Sequence, residues 1–176
     1  MNIEKLTKSV RNVPDFPIPG IQFKDVTTLF KDASILHEIV DGLCEIYKNK
    51  KITKVVGIES RGFILGPLLA DRLNAGFIPI RKPGKLPAAV FEESYEKEYG
   101  SDAIQIHQDA IDSNDVVLLH DDLLATGGTM QAAVRLIEKF KPQHIYVNAL
   151  IELEDLKGRV GFPPYIQIDS IIKYAI

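Results

Sequence analysis

The sequence predicts an α/β fold built on a parallel sheet that is flanked by helices. Four short apolar runs, rich in β-branched residues, have the length and composition of strands that are covered on both faces. Two segments between these runs repeat apolar residues at helical spacing. Strands that alternate with helices are typical of a parallel sheet, so this order predicts the fold class. The predicted strands are Lys54–Ile58, Phe77–Ile80, Val116–His120 and Ile145–Leu150, and the predicted helices are Gly62–Leu73 and Met130–Phe140.

The other segments carry weaker patterns. An apolar helical pattern from Ile35 to Tyr47 contains Cys44, the single cysteine, which we interpret as a small core residue. Residues 81–108 are rich in proline, glycine and glutamate and end in the alternating run DAIQIH, so we interpret them as a mobile β-rich flap. The proline-rich segment 12–25 and the segment 152–168 have no strong periodicity.

Composition and charge exclude several classes of protein. The chain has 176 residues, of which 45% are hydrophobic and 26% charged, enough for one domain with a substantial core. A net charge of −3 gives no overall field that attracts nucleic acid or an acidic membrane. The N-terminus lacks the apolar region of a signal peptide, and no uncharged run approaches the roughly 20 residues of a membrane span. We expect a soluble, cytoplasmic protein, in keeping with its one cysteine.

The run VVLLHDDLLATGGT, at 116–129, carries the strongest chemical signal. Asp121 and Asp122 are predicted at the carboxyl end of a buried strand, where parallel sheets bind ligands, although their mutual repulsion costs folding energy. The next loop opens a helix, so its backbone N–H groups, threonine hydroxyls and the helix dipole predict a phosphate cradle. Carboxylates can accept hydrogen bonds from two vicinal hydroxyls, and the cradle beside them can hold a phosphate, so together they predict a ribose 5-phosphate ligand. The alternative is an ordinary strand-to-helix turn without a ligand. The cradle residues are Ala125, Thr126, Gly127, Gly128 and Thr129.

Two further segments suggest anion binding. The run GIESRGF also joins a predicted strand to a helix, so Glu59, Ser60 and Arg61 predict a second anion site with a guanidinium group, against the alternative of a surface arginine near a turn. A basic cluster follows the next predicted strand and could bind an anionic leaving group. A solvated basic loop is the ordinary alternative. The cluster consists of Arg81, Lys82 and Lys85.

Taken together, these motifs resemble the adenine phosphoribosyltransferase family, within the type I phosphoribosyltransferases. The likeness extends over nearly the full chain. It implies a single domain, 1–176, with a central parallel sheet, a flexible flap at about 82–107 and a small hood formed by the N-terminal segment and about 153–170. The motifs, in order, are PDFPIPGIQFKD, ESRGF, RKPGKLP, SYEKEYG, VVLLHDDLLATGGT and ELEDLKGR.

The resemblance implies a purine-salvage reaction, in which adenine and phosphoribosyl diphosphate (PRPP) give AMP and pyrophosphate. It implies Mg²⁺ that is bound through PRPP and pyrophosphate, without a direct protein ligand. One residue of the basic cluster is implied to reach a neighbouring subunit, hence a homodimer. Neither nucleic acid nor a membrane is expected as a partner.

The resemblance also implies roles for single residues. Asp121 and Asp122 engage the ribose hydroxyls, while Arg61, beside a non-proline cis peptide between Glu59 and Ser60, binds pyrophosphate. The adenine-binding residues are expected to be Phe23 and Leu153, which cover the ring, and Lys24, whose backbone is implied to read the purine edge. For Phe23 alone, packing in the core is the alternative. In the flap, Glu98 handles a purine proton and Tyr99 seals the site. The alternative is that Glu98 is one of several solvated flap acids, together with Glu92, Glu93 and Glu96.

Some features depart from the family pattern or leave alternatives open. His120 stands where relatives carry an apolar residue, and we interpret it as a satisfied core histidine. The flap run PAAVFEE also differs from the versions typical of the family. A phosphoribosyltransferase for xanthine or hypoxanthine and a PRPP-sensing regulator remain alternatives, although a regulator needs a DNA-binding module and a basic face, neither of which the sequence shows.

Overall fold

A computed structural model describes residues 1–96 and 100–175. These residues form an α/β fold with a five-stranded parallel sheet and two separate two-stranded antiparallel ribbons. The chain divides into two compact units, 1–46 and 47–176. The prediction that the whole chain acts as one domain is not tested by this division and stays a prediction. In the described part of the chain, each helix is too short or too polar to cross a bilayer.

The first unit is a small helical unit with one antiparallel ribbon. The proline-rich segment, which has no strong periodicity, contributes the two ribbon strands, with Pro14 at the end of one of them. Proline is tolerated there because a strand end does not need its N–H group. The elements are α1 (Ile3–Ser9), β1 (Arg11–Pro14), β2 (Gln22–Asp25), α2 (Thr27–Phe30) and α3 (Ala33–Tyr47), the last residue of α3 already belonging to the second unit.

The second unit contains the parallel sheet, in the order β4, β3, β7, β8, β9. Its core lies among the apolar faces of the strands and α5, as expected for strands that are covered by helices. The elements are β3 (Lys54–Ile58), α4 (Gly62–Leu73), β4 (Gly76–Ile80), β5 (Val90–Glu96), β6 (Ser101–His107), β7 (Val116–Leu124), α5 (Gly128–Glu138), β8 (His144–Leu153), a 3₁₀ helix (Glu154–Leu156) and β9 (Gln167–Tyr174).

The strand order creates a switch point between β3 and β7. The connection through α4 leads from β3 outward to β4, whereas the connection through α5 leads from β7 outward to β8 in the opposite direction. Right-handed crossovers in opposite directions place the two helices on opposite faces of the sheet. The loops that follow β3 and β7 therefore border a crevice, the usual ligand site of such sheets.

The structure corrects the end of one predicted strand, adds a strand that was not predicted and confirms the β-rich flap. β7 does not end at His120 but runs to Leu124, because its pairing with β8 continues through Asp121, so the acidic pair lies within the strand. β9 was not predicted, since its charged and polar residues conceal a strand at the sheet edge. The β-rich character of the flap is confirmed by the antiparallel pair β5 and β6.

Candidate active site

A cavity of about 220 Å³ opens at the switch point of the sheet. It lies where the loop after β3, the end of β7 and the start of α5 come together, which is the place that the strand order predicts for a ligand. The predicted acidic pair, the phosphate cradle and the arginine of the second anion site therefore share one cavity. Its lining residues are Arg61, Asp121, Asp122, Leu123, Leu124, Ala125, Thr126, Gly127, Gly128, Thr129 and Met130.

The cradle is the N-terminus of α5. Gly127 is the N-cap residue and has φ 86°, a left-handed conformation that glycine adopts without steric cost. Because glycine has no side chain to cap the helix, the first N–H groups of α5 are left to a ligand, and the helix dipole favours an anion there. The predicted phosphate site thus has the required backbone geometry.

The acidic pair is electrostatically strained. Asp122 is 2% exposed, and its Oδ2 lies 2.9 Å from Nε of Arg61 in an ion pair. Asp121 is half-buried and accepts a hydrogen bond of 2.9 Å from the backbone N–H of Asp122. Burial and the neighbouring carboxylate raise the pKa of Asp121, and burial raises the pKa of Asp122 although Arg61 opposes the shift. Such a site stabilises a cationic group, or donors such as hydroxyls, placed next to it.

Glu59 organises the predicted basic cluster. Its carboxylate accepts hydrogen bonds from Nζ of Lys85, from the backbone N–H of Lys82 at 3.0 Å and from Nε of Arg81 at 3.2 Å. Burial opposes the charge on Glu59, but these donors outweigh it and lower the pKa of Glu59 to about 2. The structure therefore brings the loop after β3 and the basic cluster together. The peptide between Glu59 and Ser60 is cis, as the resemblance implied.

Lys82 has partners in the flap that sequence reasoning missed. Its Nζ donates to Oδ2 of Asp102 and, at 3.1 Å, to the hydroxyl of Tyr95, whose ring it also covers at 5.5 Å from the centroid. Tyr95 itself donates to Asp102 at 3.2 Å. No local sequence signal connects these residues, because they are brought together only by the pairing of β5 with β6.

The two flap residues with predicted roles, Glu98 and Tyr99, lie outside the described residues, so their roles stay predictions. The grouping of Glu93 with solvated flap acids is wrong. Its carboxylate pairs with Arg135 at 2.8 Å and with Lys139 at 3.3 Å, which joins β5 to α5 and lowers the pKa of Glu93 through the hydrogen bond from Arg135. Glu93 is therefore a structural residue.

The three predicted base-binding residues are divided between the units. In the first unit, Phe23 packs edge to face on Phe16, with ring centroids 5.1 Å apart, and Nζ of Lys24 donates to Oδ1 of Asn12 at 3.0 Å. In the second unit, Leu153 ends β8 and is 9% exposed. The purine site that these residues are predicted to form stays a prediction.

Only one of the two ring nitrogens of the buried His120 has a hydrogen-bond partner in the described part of the chain. Its Nδ1 lies 2.9 Å from Oδ1 of Asn148, and burial lowers the pKa of the ring to about 4, so the ring is neutral at physiological pH. Within residues 1–96 and 100–175, Nε2 has no hydrogen-bond partner. The residue is fully buried and is not among the residues that line the cavity, and its lack of a catalytic role stays a prediction.

Comparisons with known proteins agree with this geometry. The phosphoribosyl transferase domain family matches residues 26–171. An adenine phosphoribosyltransferase of Bacteroides thetaiotaomicron is 66% identical over 172 residues, which cover 98% of each chain. The adenine phosphoribosyltransferase of Giardia lamblia, solved with 9-deazaadenine, has a TM-score of 0.93 at 40% identity and covers 100% of this chain and 99% of its own. The adenine phosphoribosyltransferase of Trypanosoma brucei, solved with AMP, pyrophosphate and ribose-5-phosphate, has a TM-score of 0.88 at 29% identity. The match covers 97% of this chain and 78% of that protein.

These likenesses extend over the elements that build the cavity. The matched range 26–171 contains the loop after β3, the acidic pair and the cradle, and the TM-scores show that the sheet and its helices have the arrangement of the type I phosphoribosyltransferase fold. Sequence, fold and site therefore agree. The chain belongs to the phosphoribosyltransferase family, among the adenine phosphoribosyltransferases.

Proposed function

We propose that this chain transfers the phosphoribosyl group of PRPP to adenine, giving AMP and pyrophosphate in purine salvage. One observation carries the proposal: the acidic pair and an N-terminus of a helix without a capping side chain line the same cavity. Carboxylates suit the ribose hydroxyls, and backbone N–H groups suit the 5′-phosphate. The relatives that were solved with 9-deazaadenine, or with AMP, pyrophosphate and ribose-5-phosphate, support the same ligands here.

In this mechanism the cradle holds the 5′-phosphate and so fixes the ribose over the acidic pair. As the bond from C1′ to pyrophosphate lengthens, the ribose ring gains positive charge. The carboxylates of Asp121 and Asp122 stabilise that charge, because burial makes their negative charge costly and positive charge on the ribose offsets that cost. Adenine N9 then attacks C1′.

The leaving pyrophosphate is bound by Arg61 and by the basic cluster. In the structure Glu59 holds Arg81 and Lys85 beside the loop that carries Arg61. We therefore assign Glu59 a positioning role: it orients the cations, because a carboxylate in direct contact with pyrophosphate would repel it. Ser60 and Lys82 complete the predicted pyrophosphate site.

The purine is held by Phe23, Leu153 and the backbone of Lys24. Glu98 accepts the purine proton: with that proton on N7, hydrogen-bonded to the Glu98 carboxylate, the N9 lone pair is free to attack C1′, and the proton passes to Glu98 as the C1′–N9 bond forms and the bond to pyrophosphate breaks. Tyr99 helps to seal the site. Closure of the flap excludes water, which would otherwise hydrolyse PRPP. These roles rest on the family resemblance.

Magnesium fits the site as an ion that arrives with the substrate. Within the described ranges, no three His, Cys, Asp or Glu side chains form a candidate metal site. Magnesium keeps several waters and commonly binds together with substrate phosphates, so the phosphates of PRPP and pyrophosphate would hold the ion here. When bound through PRPP and pyrophosphate, the ion neutralises charge on the leaving group.

We also propose a cytoplasmic homodimer. The side chains of Ile64 and Leu68, one turn apart on α4, are 38% and 39% exposed and offer apolar surface for a second copy. Sedimentation equilibrium measures the assembly directly. A monomer at all concentrations in the micromolar range would contradict the dimer without affecting the reaction.

A panel of bases tests the reaction. The protein is incubated with PRPP, Mg²⁺ and adenine, hypoxanthine, xanthine or guanine, and pyrophosphate release is measured. We expect rapid turnover with adenine alone. Preference for hypoxanthine or xanthine would replace the proposed base, and tight PRPP binding without turnover of any base would favour a regulator.

A further inference from the structure

The loop that follows the 3₁₀ helix packs backbone to backbone against the cradle. An alanine Cβ built at Gly158 lies 2.2 Å from the carbonyl oxygen of Ala125, and one built at Gly127 lies 2.2 Å from the carbonyl oxygen of Gly158. Both distances are far below any van der Waals contact, so neither position has room for a side chain. The backbone at Gly158 is not in the left-handed region, so close approach is the reason for glycine there.

The same loop also contacts α5 just after the cradle. Gln131, in the first turns of α5, donates a hydrogen bond of 2.8 Å from Nε2 to the carbonyl oxygen of Val160. An alanine Cβ at Gly161 would lie 2.9 Å from the amide oxygen of Gln131. Residues 157–161, which we name the buttress loop, therefore contact the cradle at Ala125 and Gly127 and contact α5 just after the cradle, at Gln131.

The buttress loop is anchored to the sheet by Arg159. Its guanidinium makes a bidentate pair with Glu152, with Nε to Oε1 and Nη2 to Oε2 both at 2.7 Å. It also donates to the carbonyl oxygen of Ile168 at 2.8 Å and to Oγ of Ser170 at 2.9 Å. Glu152 is 4% exposed and also accepts a hydrogen bond from Ser170. A bidentate pair on a buried carboxylate fixes orientation as well as distance, so β8 and β9 hold the loop rigidly.

We infer that the buttress loop is a positioning element for the 5′-phosphate. Gly158 acts through its direct packing on Ala125 and Gly127, and Arg159 acts through Glu152, which fixes the loop against the sheet. The inference rests on the proposed function, because it assigns the cradle to a phosphate. Its physical basis is that a set of N–H donors must be held within a fraction of an ångström of the ligand geometry to bind it well.

The test compares two ligands that occupy different parts of the proposed site. AMP carries the 5′-phosphate, whereas pyrophosphate occupies the site of the basic cluster. Their dissociation constants are measured by calorimetry with Mg²⁺ for the wild type, Gly158→Ala and Arg159→Lys. The matched control is Gly76→Ala, where the nearest neighbour of an added Cβ is the flexible side chain of Lys54, at 3.3 Å, and the nearest backbone atom, the carbonyl oxygen of Thr53, is at an ordinary contact distance of 3.9 Å.

For Gly158→Ala we expect AMP to bind about 10- to 100-fold more weakly, the loss of one hydrogen bond to a charged group. For Arg159→Lys we expect a loss of about 3- to 10-fold, because an ammonium group cannot replace the bidentate pair. Pyrophosphate affinity should stay within about twofold in both, since its cations are held by Glu59. In steady-state kinetics, the KM for PRPP should rise while the KM for adenine is unchanged.

Two results would overturn the inference. The first is unchanged AMP affinity in folded Gly158→Ala, and the second is an equal loss of AMP and pyrophosphate affinity, which marks general damage to the fold. If Gly158→Ala does not fold, Arg159→Lys decides by the same two measurements. Failure of the wild type to bind AMP would instead contradict the proposed function.

Discussion

The replacement Asp121→Asn separates the chemical role of the acidic pair from its effect on stability. The amide oxygen of asparagine can still accept the hydrogen bond that the backbone N–H of Asp122 donates at 2.9 Å, so the local conformation should be kept. The substitution removes one negative charge from a buried pair. If the pair stabilises positive charge on the ribose, activity should fall while stability rises.

The size of the activity loss and the direction of the stability change can both be worked out. A hydrogen bond to a charged group contributes about 1.5–3 kcal/mol, which corresponds to a fall of about 10- to 100-fold in kcat/KM for PRPP. Most of the loss should fall on kcat, because the charge on the ribose develops only in the transition state. Burial and Asp122 raise the pKa of Asp121 in the folded state, so its ionisation destabilises the native protein increasingly as the pH rises above the ordinary value of 3.8. Asp121→Asn should therefore be more stable than the wild type near neutral pH, and the difference should shrink in acid.

The assay is steady-state kinetics at saturating adenine, together with urea unfolding near neutral pH and in mild acid. Asp109→Asn, at an exposed position between β6 and β7, is the matched control and should change neither quantity. Asp122→Asn should lose similar activity but gain less stability, because it also deprives Arg61 of its partner at 2.9 Å. Wild-type kcat/KM in Asp121→Asn, or a loss of activity that merely follows a loss of stability, would refute the reasoning.

Three further outcomes are expected. Ala125→Phe should raise the KM for PRPP strongly at a stability cost of only about 1–3 kcal/mol, and an unchanged KM in a folded variant would place the 5′-phosphate elsewhere. Glu98→Gln should lower kcat by about 10²-fold or more with nearly intact PRPP binding. The control Glu92→Gln, at an exposed position on β5, should leave kcat almost unchanged. Equal small losses of kcat in both variants would mean that the flap only shields the site. The pKa of Glu59 is about 2 in the folded protein and ordinarily 4.5, so its charge stabilises the fold fully above pH 4.5 and this contribution is lost as the pH falls toward 2. Glu59→Gln should therefore weaken the dependence of the unfolding free energy on pH in that range. An unchanged pH dependence below pH 4.5 would contradict the contacts of Glu59.

Local patterns predicted the elements of the sheet well where one signal dominated. The bounds Lys54–Ile58 and Gly62–Leu73 are those of β3 and α4, because a covered parallel strand is a continuous apolar run and the helix after it begins at a glycine. The end of β7 was placed too early, since the carboxylates of Asp121 and Asp122 interrupt the apolar run while the backbone pairing with β8 continues. Side-chain polarity and backbone pairing are separate properties. A single sequence shows the polarity of its side chains but not which strands pair.

The same distinction explains which parts of the site were predictable. The cradle could be predicted, because it consists of a turn and the start of the helix that directly follows it in the chain. The anchor of the buttress loop could not, since Arg159 and Glu152 both lie in a motif noted only for its resemblance, and their geometry depends on β9, a strand that the periodicity did not reveal. Contacts between strands need the fold before they can be inferred.

The pairing of the cations affects how the proposed pyrophosphate site would work. Arg61 lies against Asp122, Arg81 and Lys85 lie against Glu59, and Lys82 lies against Asp102. An arriving pyrophosphate must share these cations with carboxylates of the chain, so its net gain in free energy is smaller than the sum of the new contacts. Preorganised cations still act fully on the charge that develops as the bond to C1′ breaks, because they need no reorganisation at that moment. A site built in this way stabilises the departing group more than it retains the product, which is what turnover requires.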